Sequence, residues 1–197
     1  MSIAGLIVAG GQGRRIGGGK PLLPFRGAML LDAVIARARP QVDSLALNIP
    51  ETDSALYQRF ALPLLIDAVP GFRGPLSGVV AGLMALPPGT DWLASFPCDT
   101  PFLPRDLVAR LAASRAGERP VFSQAGEEIH ALCALWPRAA LGKLRAGVEA
   151  GTLASVRRAL AALEAIPVPM PAGDPGFFNI NTREDLAEAE RMAAAGA

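Results

Sequence analysis

The residues best suited to chemistry lie in a glycine-rich segment near the amino terminus. Residues 10–20 read GGQGRRIGGGK and follow directly on an apolar run at residues 3–9. Glycines let backbone amides approach a polyphosphate closely, and the side chains of Arg15 and Lys20 can neutralise its charge. Lys20 and Lys143 are the only lysines among the 19 basic residues of the chain. We therefore expect a polyphosphate-binding loop, with a turn carrying solvated arginines as the alternative.

A carboxylate, Asp99, follows the apolar run at residues 92–96. It would then stand at the carboxyl end of a buried strand, the edge at which open α/β sheets bind ligands. Mg²⁺ prefers oxygen ligands and retains several waters, so one carboxylate and phosphate oxygens can hold it. The segment 10–20 contains no Ser or Thr that could take this role instead. We expect Asp99 to bind Mg²⁺, with an ordinary turn at residues 99–101 as the alternative.

Two familiar glycine patterns do not fit the segment. A phosphate-binding loop ending at Lys20 would need Gly in place of Arg14 and Ser or Thr in place of Pro21. A dinucleotide-binding fingerprint starting at Gly11 would need Gly in place of Ile16. The loop is therefore neither of these two well-known types.

The elements that must position these residues follow from hydrophobic periodicity. Short buried runs alternate with amphipathic helical patterns in the first half, which is typical of a parallel sheet covered on both faces. We predict a single domain over residues 1–197, with a three-layer α/β fold and a mostly parallel, twisted sheet that has helices on both faces. The predicted strands are 3–9, 44–49, 62–66, 92–96, 120–124, 129–136 and 177–180. The predicted helices are 29–39, 105–115, 137–148, 153–163 and a last one that begins at Thr182, with Asp185 as its capping partner. The prolines of 167–175 predict an extended crossing between helices and strands.

Composition excludes several classes of protein. The chain has 197 residues, a formal net charge of +1 and 51% apolar residues, which excludes a disordered chain. The balanced charge favours neither nucleic acid nor an anionic membrane as a partner. Cys98 and Cys133 are too few for a disulfide framework, and nothing in the sequence places His130 near Cys98 as a nucleophile pair. With no secretory signal pattern, we expect a cytoplasmic protein.

Four segments, in this order along the chain, carry a resemblance to a known family. Together they resemble the molybdenum cofactor guanylyltransferases, within the nucleotide-diphosphosugar transferase type of fold, over residues 3–186. The segments are Val8-Ala9-Gly10-Gly11-x-x-x-Arg15-Ile16-Gly17-x-x-Lys20, Arg73-Gly74-Pro75-Leu76-Ser77-Gly78, Pro97-Cys98-Asp99-Thr100-Pro101 and Phe178-Asn179-Ile180-Asn181-Thr182.

The resemblance implies transfer of GMP from GTP to molybdenum-bound molybdopterin, with release of pyrophosphate and with Mg²⁺ as cofactor. It also implies transient contact with cofactor-delivery proteins or molybdoenzymes, and roles for particular residues. Arg15, Lys20 and Asp99 would be catalytic, with Asp99 as the metal ligand; Val8, Ala9, Gly10, Gly11, Lys20, Asn48, Asp67 and Asp99 would bind the nucleotide; Gly78, Asn179 and Asn181 would bind the acceptor.

Other functions remain open at this point. A sister enzyme using CTP, or another small-molecule nucleotidyltransferase, fits the same motifs, although Ala9-Gly10-Gly11 favours guanine over the Leu-Ala-Ala-Gly typical of cytidylyltransferases. A non-catalytic module that binds the nucleotide or the cofactor is a further alternative. The family usually has Asp before the lysine, and Gly19 removes that second carboxylate.

Overall fold

The structure is a computed structural model that describes residues 1–10, 19–50, 54–67 and 74–196. Its strands are β1 (Ile3–Val8), β2 (Pro24–Phe25), β3 (Ala28–Met29), β4 (Ser44–Ile49), β5 (Leu64–Ile66), β6 (Trp92–Pro97), β7 (Val121–Ala125), β8 (Glu128–Pro137) and β9 (Ile166–Met170). Its α-helices are α1 (Leu30–Ala38), α2 (Ser54–Tyr57), α3 (Pro75–Met84), α4 (Leu107–Ala113), α5 (Leu141–Glu149), α6 (Val156–Ala162) and α7 (Arg183–Ala194). Within these ranges no helix is long and apolar enough to cross a membrane.

The described residues form a central seven-stranded sheet in the order β5-β4-β1-β6-β8-β7-β9. β8 runs against its neighbours β6 and β7, and the other strands share one direction. The mostly parallel sheet predicted from the sequence is thereby confirmed. The register pairs Val8 with Asn48 on one side and with Pro97 on the other, so β1, β4 and β6 end at the same level.

Helices cover both faces of the sheet, as predicted. Side chains alternate along β1, so that Ile7 packs on one face and Leu6 on the other. The first face is covered by α1 and α4, and the second by α3, α5 and α6. A smaller cluster joins α7 to Phe25, Phe102 and Ile180. These three apolar clusters leave the carboxyl ends of the parallel strands as the edge where polar residues collect.

Two segments differ from the prediction. Residues 166–170 do not simply cross the surface, because they form β9 and pair with β7 in parallel. This edge strand tolerates Pro167 and Pro169 because one of its sides needs no ladder donors. Residues 177–180, predicted as a strand, instead follow a 3-10 turn at Pro175–Phe177. The proline and a hydrogen bond from Gly176 N to Asp174 Oδ1 (2.7 Å) favour this turn.

The last helix begins as the sequence predicts, with a reciprocal cap. Thr182 Oγ1 accepts from Asp185 N at 3.1 Å, and Asp185 Oδ2 accepts from Thr182 N at 2.9 Å. Asp185 Oδ2 also accepts from Asn181 N at 2.8 Å, and these backbone donors hold the pKa of the Asp185 carboxyl below its usual value. The cap therefore fixes the backbone of Asn181 as well as the start of α7.

Replacing Thr182 with alanine is expected to lower the free energy of unfolding by about 1 kcal/mol, since an N-cap acceptor is lost. Urea denaturation followed by circular dichroism measures the change. Thr152→Ala is the control, because the Thr152 hydroxyl donates to a carbonyl, that of Gly147, at an exposed position. Equal stability of the Thr182 variant and the parent would show that the cap contributes nothing.

Candidate nucleotide-binding site

The site residues converge because four parallel strands end at one edge of the sheet. Gly10 follows β1, Asn48 lies near the end of β4, Asp67 follows β5 and Asp99 follows β6. The backbone of Ala9 donates to Asn48 O at 2.8 Å, which continues the β1–β4 pairing up to Gly10. Residues far apart in sequence are thus brought to the edge at which α/β sheets bind ligands.

Lys20 and Asp99 form a close ion pair at this edge. Lys20 Nζ lies 2.6 Å from Asp99 Oδ2, and it donates a second hydrogen bond to Asn181 Oδ1 at 2.9 Å. The two charged side chains retain only 11% and 20% of their full exposure. Gly19, with a φ of +59°, turns the chain into the short 3-10 helix Lys20–Leu22 and so aims Lys20 at the cluster. We refer to Lys20, Asp99 and Asn181 as the charged cluster.

The segment before α7 is anchored beside this cluster. Thr100 Oγ1 lies 2.8 Å from Asn179 Oδ1 and 3.3 Å from Asp99 Oδ1. Ile180 N donates to Asp99 O at 3.0 Å, which fastens the segment to the end of β6. Asn179 and Asn181 therefore both reach the Asp99 region, and they do so from an irregular segment and not from the predicted strand. The sequence reasoning did not single out Thr100, even though it lies inside a quoted motif.

A second polar group lies at the ends of β4 and β5. Asn48 Nδ2 donates to Asp67 Oδ1 at 3.0 Å and to Leu65 O at 3.3 Å. Asn48 is 1% exposed, and its Oδ1 has no hydrogen-bond partner among the described residues. Burial raises the pKa of the Asp67 carboxyl, and the Asn48 hydrogen bond partly opposes that shift. This arrangement leaves acceptor atoms that a ligand with N–H or O–H donors can satisfy.

Gly78, on the first turns of α3, lies against Asn48. A Cβ built on Gly78 would stand 2.2 Å from Asn48 Oδ1, and one built on Gly10 would stand 3.3 Å from the same atom. Glycine at position 78 is therefore required for α3 to pack this closely on the end of β4. The sequence placed Gly78 with the acceptor residues, and in the structure it contacts Asn48, one of the residues predicted to bind the nucleotide.

The residues around Asp99 suit a hard divalent cation. The carboxylate, the Thr100 hydroxyl and the amide oxygens of Asn179 and Asn181 are all oxygen donors, which Mg²⁺ and Mn²⁺ prefer. In the described ranges no group of three or more His, Cys, Asp or Glu side chains could hold a metal ion. Asp99 therefore fits a metal site that phosphate oxygens and water complete.

The remaining predicted residues lie in three settings. Val8 and Ala9 are buried at the end of β1, where their backbone leads into the site. Gly11 and Arg15 lie outside the described residues. Cys98 is buried beside Asp99, and burial raises the pKa of its thiol far above the usual range. A thiolate nucleophile is accordingly disfavoured at Cys98. The His130 ring stacks on Phe177, with the ring centroids 4.3 Å apart.

The sequence matches a known protein family over most of its length. A family model described as a MobA-like NTP transferase domain matches residues 5–166. The chain belongs to the MobA-like NTP transferase family. A molybdenum cofactor guanylyltransferase of Rhodopseudomonas palustris strain BisB5 is 44% identical over 197 residues, which cover 95% of this chain and 92% of the relative.

Solved structures share the MobA-like fold. One is the molybdopterin-guanine dinucleotide biosynthesis protein A of Archaeoglobus fulgidus, with a TM-score of 0.80, 23% identity and coverage of 99% of this chain and 100% of the other. Another is a Mycobacterium tuberculosis protein in complex with manganese, with a TM-score of 0.69, 19% identity and coverage of 97% and 99%. The fold inferred from the four motifs is thereby confirmed.

Proposed function

We propose that this NTP transferase moves GMP from GTP to molybdenum-bound molybdopterin and releases pyrophosphate. The observation that carries the proposal is the charged cluster, in which a cationic residue, a carboxylate and the late Asn-x-Asn motif meet at the ligand-binding edge of the sheet. The acceptor is inferred from the Rhodopseudomonas relative, whose name specifies the molybdenum cofactor and guanylyl transfer.

The reaction needs no nucleophile from the protein. An oxygen of the acceptor's terminal phosphate attacks the α-phosphorus of GTP, a new P–O bond forms, and the bond to the pyrophosphate oxygen breaks. Catalysis then consists of positioning and charge stabilisation. Asp99 would hold a divalent metal, for which we propose Mg²⁺, and a bound metal would neutralise charge on the phosphates.

Each group of residues has a part in this scheme. Lys20, with Arg15 from outside the described residues, would neutralise the leaving pyrophosphate. Asn48 and Asp67 would accept hydrogen bonds from the nucleoside, since Asn48 Oδ1 lacks a partner among the described residues and both side chains lie close to Gly10. Asn179 and Asn181 would orient the acceptor phosphate beside Asp99.

A thermal-shift panel of nucleoside triphosphates with Mg²⁺, followed by a pyrophosphate-release assay with molybdopterin, tests this function. GTP should raise the melting temperature most, because a ligand that binds only the native state stabilises it. A larger shift with CTP would favour the cytidylyltransferase alternative. Binding of GTP without pyrophosphate release in the presence of the acceptor would indicate a non-catalytic module.

Lys20→Ala is expected to weaken the binding of GTP about tenfold or more while leaving guanosine binding nearly unchanged, because an ammonium group should contact only the phosphates. Competition binding with both ligands measures the difference. Lys143→Ala is the matched control, since the Lys143 ammonium donates to Ala162 O at an exposed position. Equal losses for guanosine and GTP would show that Lys20 acts through the structure of the loop.

A further inference from the structure

Both proposed roles in the charged cluster compete with its present contacts. Asp99 is proposed to bind a metal ion, yet its Oδ2 is 2.6 Å from Lys20 Nζ and its Oδ1 is 3.3 Å from the Thr100 hydroxyl. Lys20 is proposed to bind phosphates, yet two hydrogen bonds hold Nζ on protein oxygens. A cation that binds Asp99 must therefore share the carboxylate with the ammonium group, and a phosphate that binds Lys20 finds two of its three N–H donors already engaged.

A metal ion and the ammonium group compete for the same carboxylate. A divalent cation on the Asp99 carboxylate would stand within a few ångströms of Nζ, where two positive charges repel each other strongly in a mostly buried setting. Partial burial of the pair reduces screening by solvent, so this competition is stronger than at an exposed site. A triphosphate supplies the missing negative charge, because it can take the ammonium group and several faces of the metal ion together.

We propose that Lys20 competes with a metal ion for Asp99 in the nucleotide-free protein, so that a divalent cation binds Asp99 weakly until a triphosphate draws the ammonium group away. This inference rests on the proposed function of the site. Lys20 is then a positioning residue in the free protein as well as a phosphate ligand in the complex. Metal ion and nucleotide bind in a coupled manner, each raising the affinity for the other.

Asn181 stabilises the ion pair between Lys20 and Asp99. Its Oδ1 accepts from Nζ at 2.9 Å, and its backbone N–H is held by Asp185 Oδ2 at 2.8 Å. The amide oxygen is thus a fixed acceptor that keeps the ammonium group beside Asp99. We expect Asn181→Ala to weaken this hold and to act in the same direction as loss of the ammonium, with a smaller effect.

Binding of Mn²⁺ to the full chain, followed by electron paramagnetic resonance of the free ion, tests the proposal without turnover. Lys20→Met keeps an apolar stem in place of the lysine and removes the competing charge. In the absence of nucleotide, this variant should bind Mn²⁺ about tenfold more tightly than the parent, since a repelling cation is removed. Lys143→Met, the matched control, should bind Mn²⁺ as the parent does.

Further arms of the experiment separate the outcomes. Adding GTP to the parent should raise its Mn²⁺ affinity, and Lys20→Met/Asp99→Asn should lose the gain of Lys20→Met. Equal Mn²⁺ affinity of nucleotide-free Lys20→Met and the parent would overturn the proposal, as would a gain that survives Asp99→Asn. Absence of any GTP-induced rise in melting temperature would instead refute the proposed function, and the nucleotide-free comparison does not depend on it.

Because the chain has only two lysines, nuclear magnetic resonance can follow the movement of Lys20 away from Asp99 directly. Protein labelled with ¹³C-lysine should give one Cε resonance for Lys20 and one for Lys143. Binding of GTP with Mg²⁺ should shift the Lys20 resonance and leave that of Lys143 in place. Mg²⁺ without nucleotide should leave both resonances unchanged, and a shift of the Lys20 signal by Mg²⁺ in the absence of nucleotide would contradict the proposal.

Discussion

Asp99→Asn is expected to reduce turnover by about a hundredfold or more while the fold is retained, as loss of a preorganised charge can do. Asparagine has nearly the same shape, so its side chain can still accept from Lys20, but it lacks the negative charge that holds a metal ion. The measurement is the steady-state rate of pyrophosphate release at saturating Mg²⁺ and GTP, with the melting temperature recorded in parallel.

Asp106→Asn is the matched control for this change. Asp106, which directly precedes α4, forms an exposed ion pair with Arg110 at 2.8 Å, so its neutralisation should alter neither rate nor stability appreciably. Turnover of the Asp99 variant within about threefold of the parent would contradict the proposed metal role, since loss of a required metal ligand should reduce the rate far more.

Gly78→Ala is expected to weaken GTP binding about tenfold or more, because the added methyl group displaces the Asn48 amide. A Cβ 2.2 Å from Oδ1 cannot coexist with the present rotamer of Asn48. Rotation of that side chain would break its hydrogen bond to Asp67 and remove the acceptor atom from the site. Isothermal titration with GTP measures the loss.

Two controls make the Gly78 result specific. Gly142→Ala on α5 adds a methyl group where nothing lies within 4 Å, so it should leave GTP binding intact. Gly78→Ala introduced into Asn48→Ala should weaken GTP no further, because changes that act through one shared side chain are not additive. Full additivity of the two losses would show that Gly78 acts on the nucleotide by another route.

Hydrophobic periodicity predicted most strands of the sheet and four of the helices that cover it, namely α1, α4, α5 and α6. The buried runs of β1, β4 and β6 are short, apolar and bounded by turn residues, so their pattern excludes a long helix. The prolines near residues 167–169 obscured β9, because proline argues against a strand and only the edge position permits it. A local pattern carries no information about which strand occupies an edge.

The site was predictable by residue type but not by pairing. Strand ends and motifs indicated Lys20, Asp99 and Asn181, since each follows a recognisable signal in the chain. Their mutual contacts depend on tertiary packing of segments that sequence periodicity does not relate. The need for glycine at position 78 was unpredictable for the same reason, because it arises from contact with the Asn48 amide on another element. The roles of all these residues remain predictions until the variants are measured.

The hydrogen bond from Lys20 to Asn181 joins residues 161 positions apart. During synthesis on the ribosome, the strands of the first half emerge long before the Asn181 segment, which is among the last parts of the chain to be made. The ammonium group of Lys20 therefore lacks its hydrogen bond to Asn181 until translation is nearly complete. An almost finished polypeptide would hold a substantial part of its sheet and still lack a complete reaction centre.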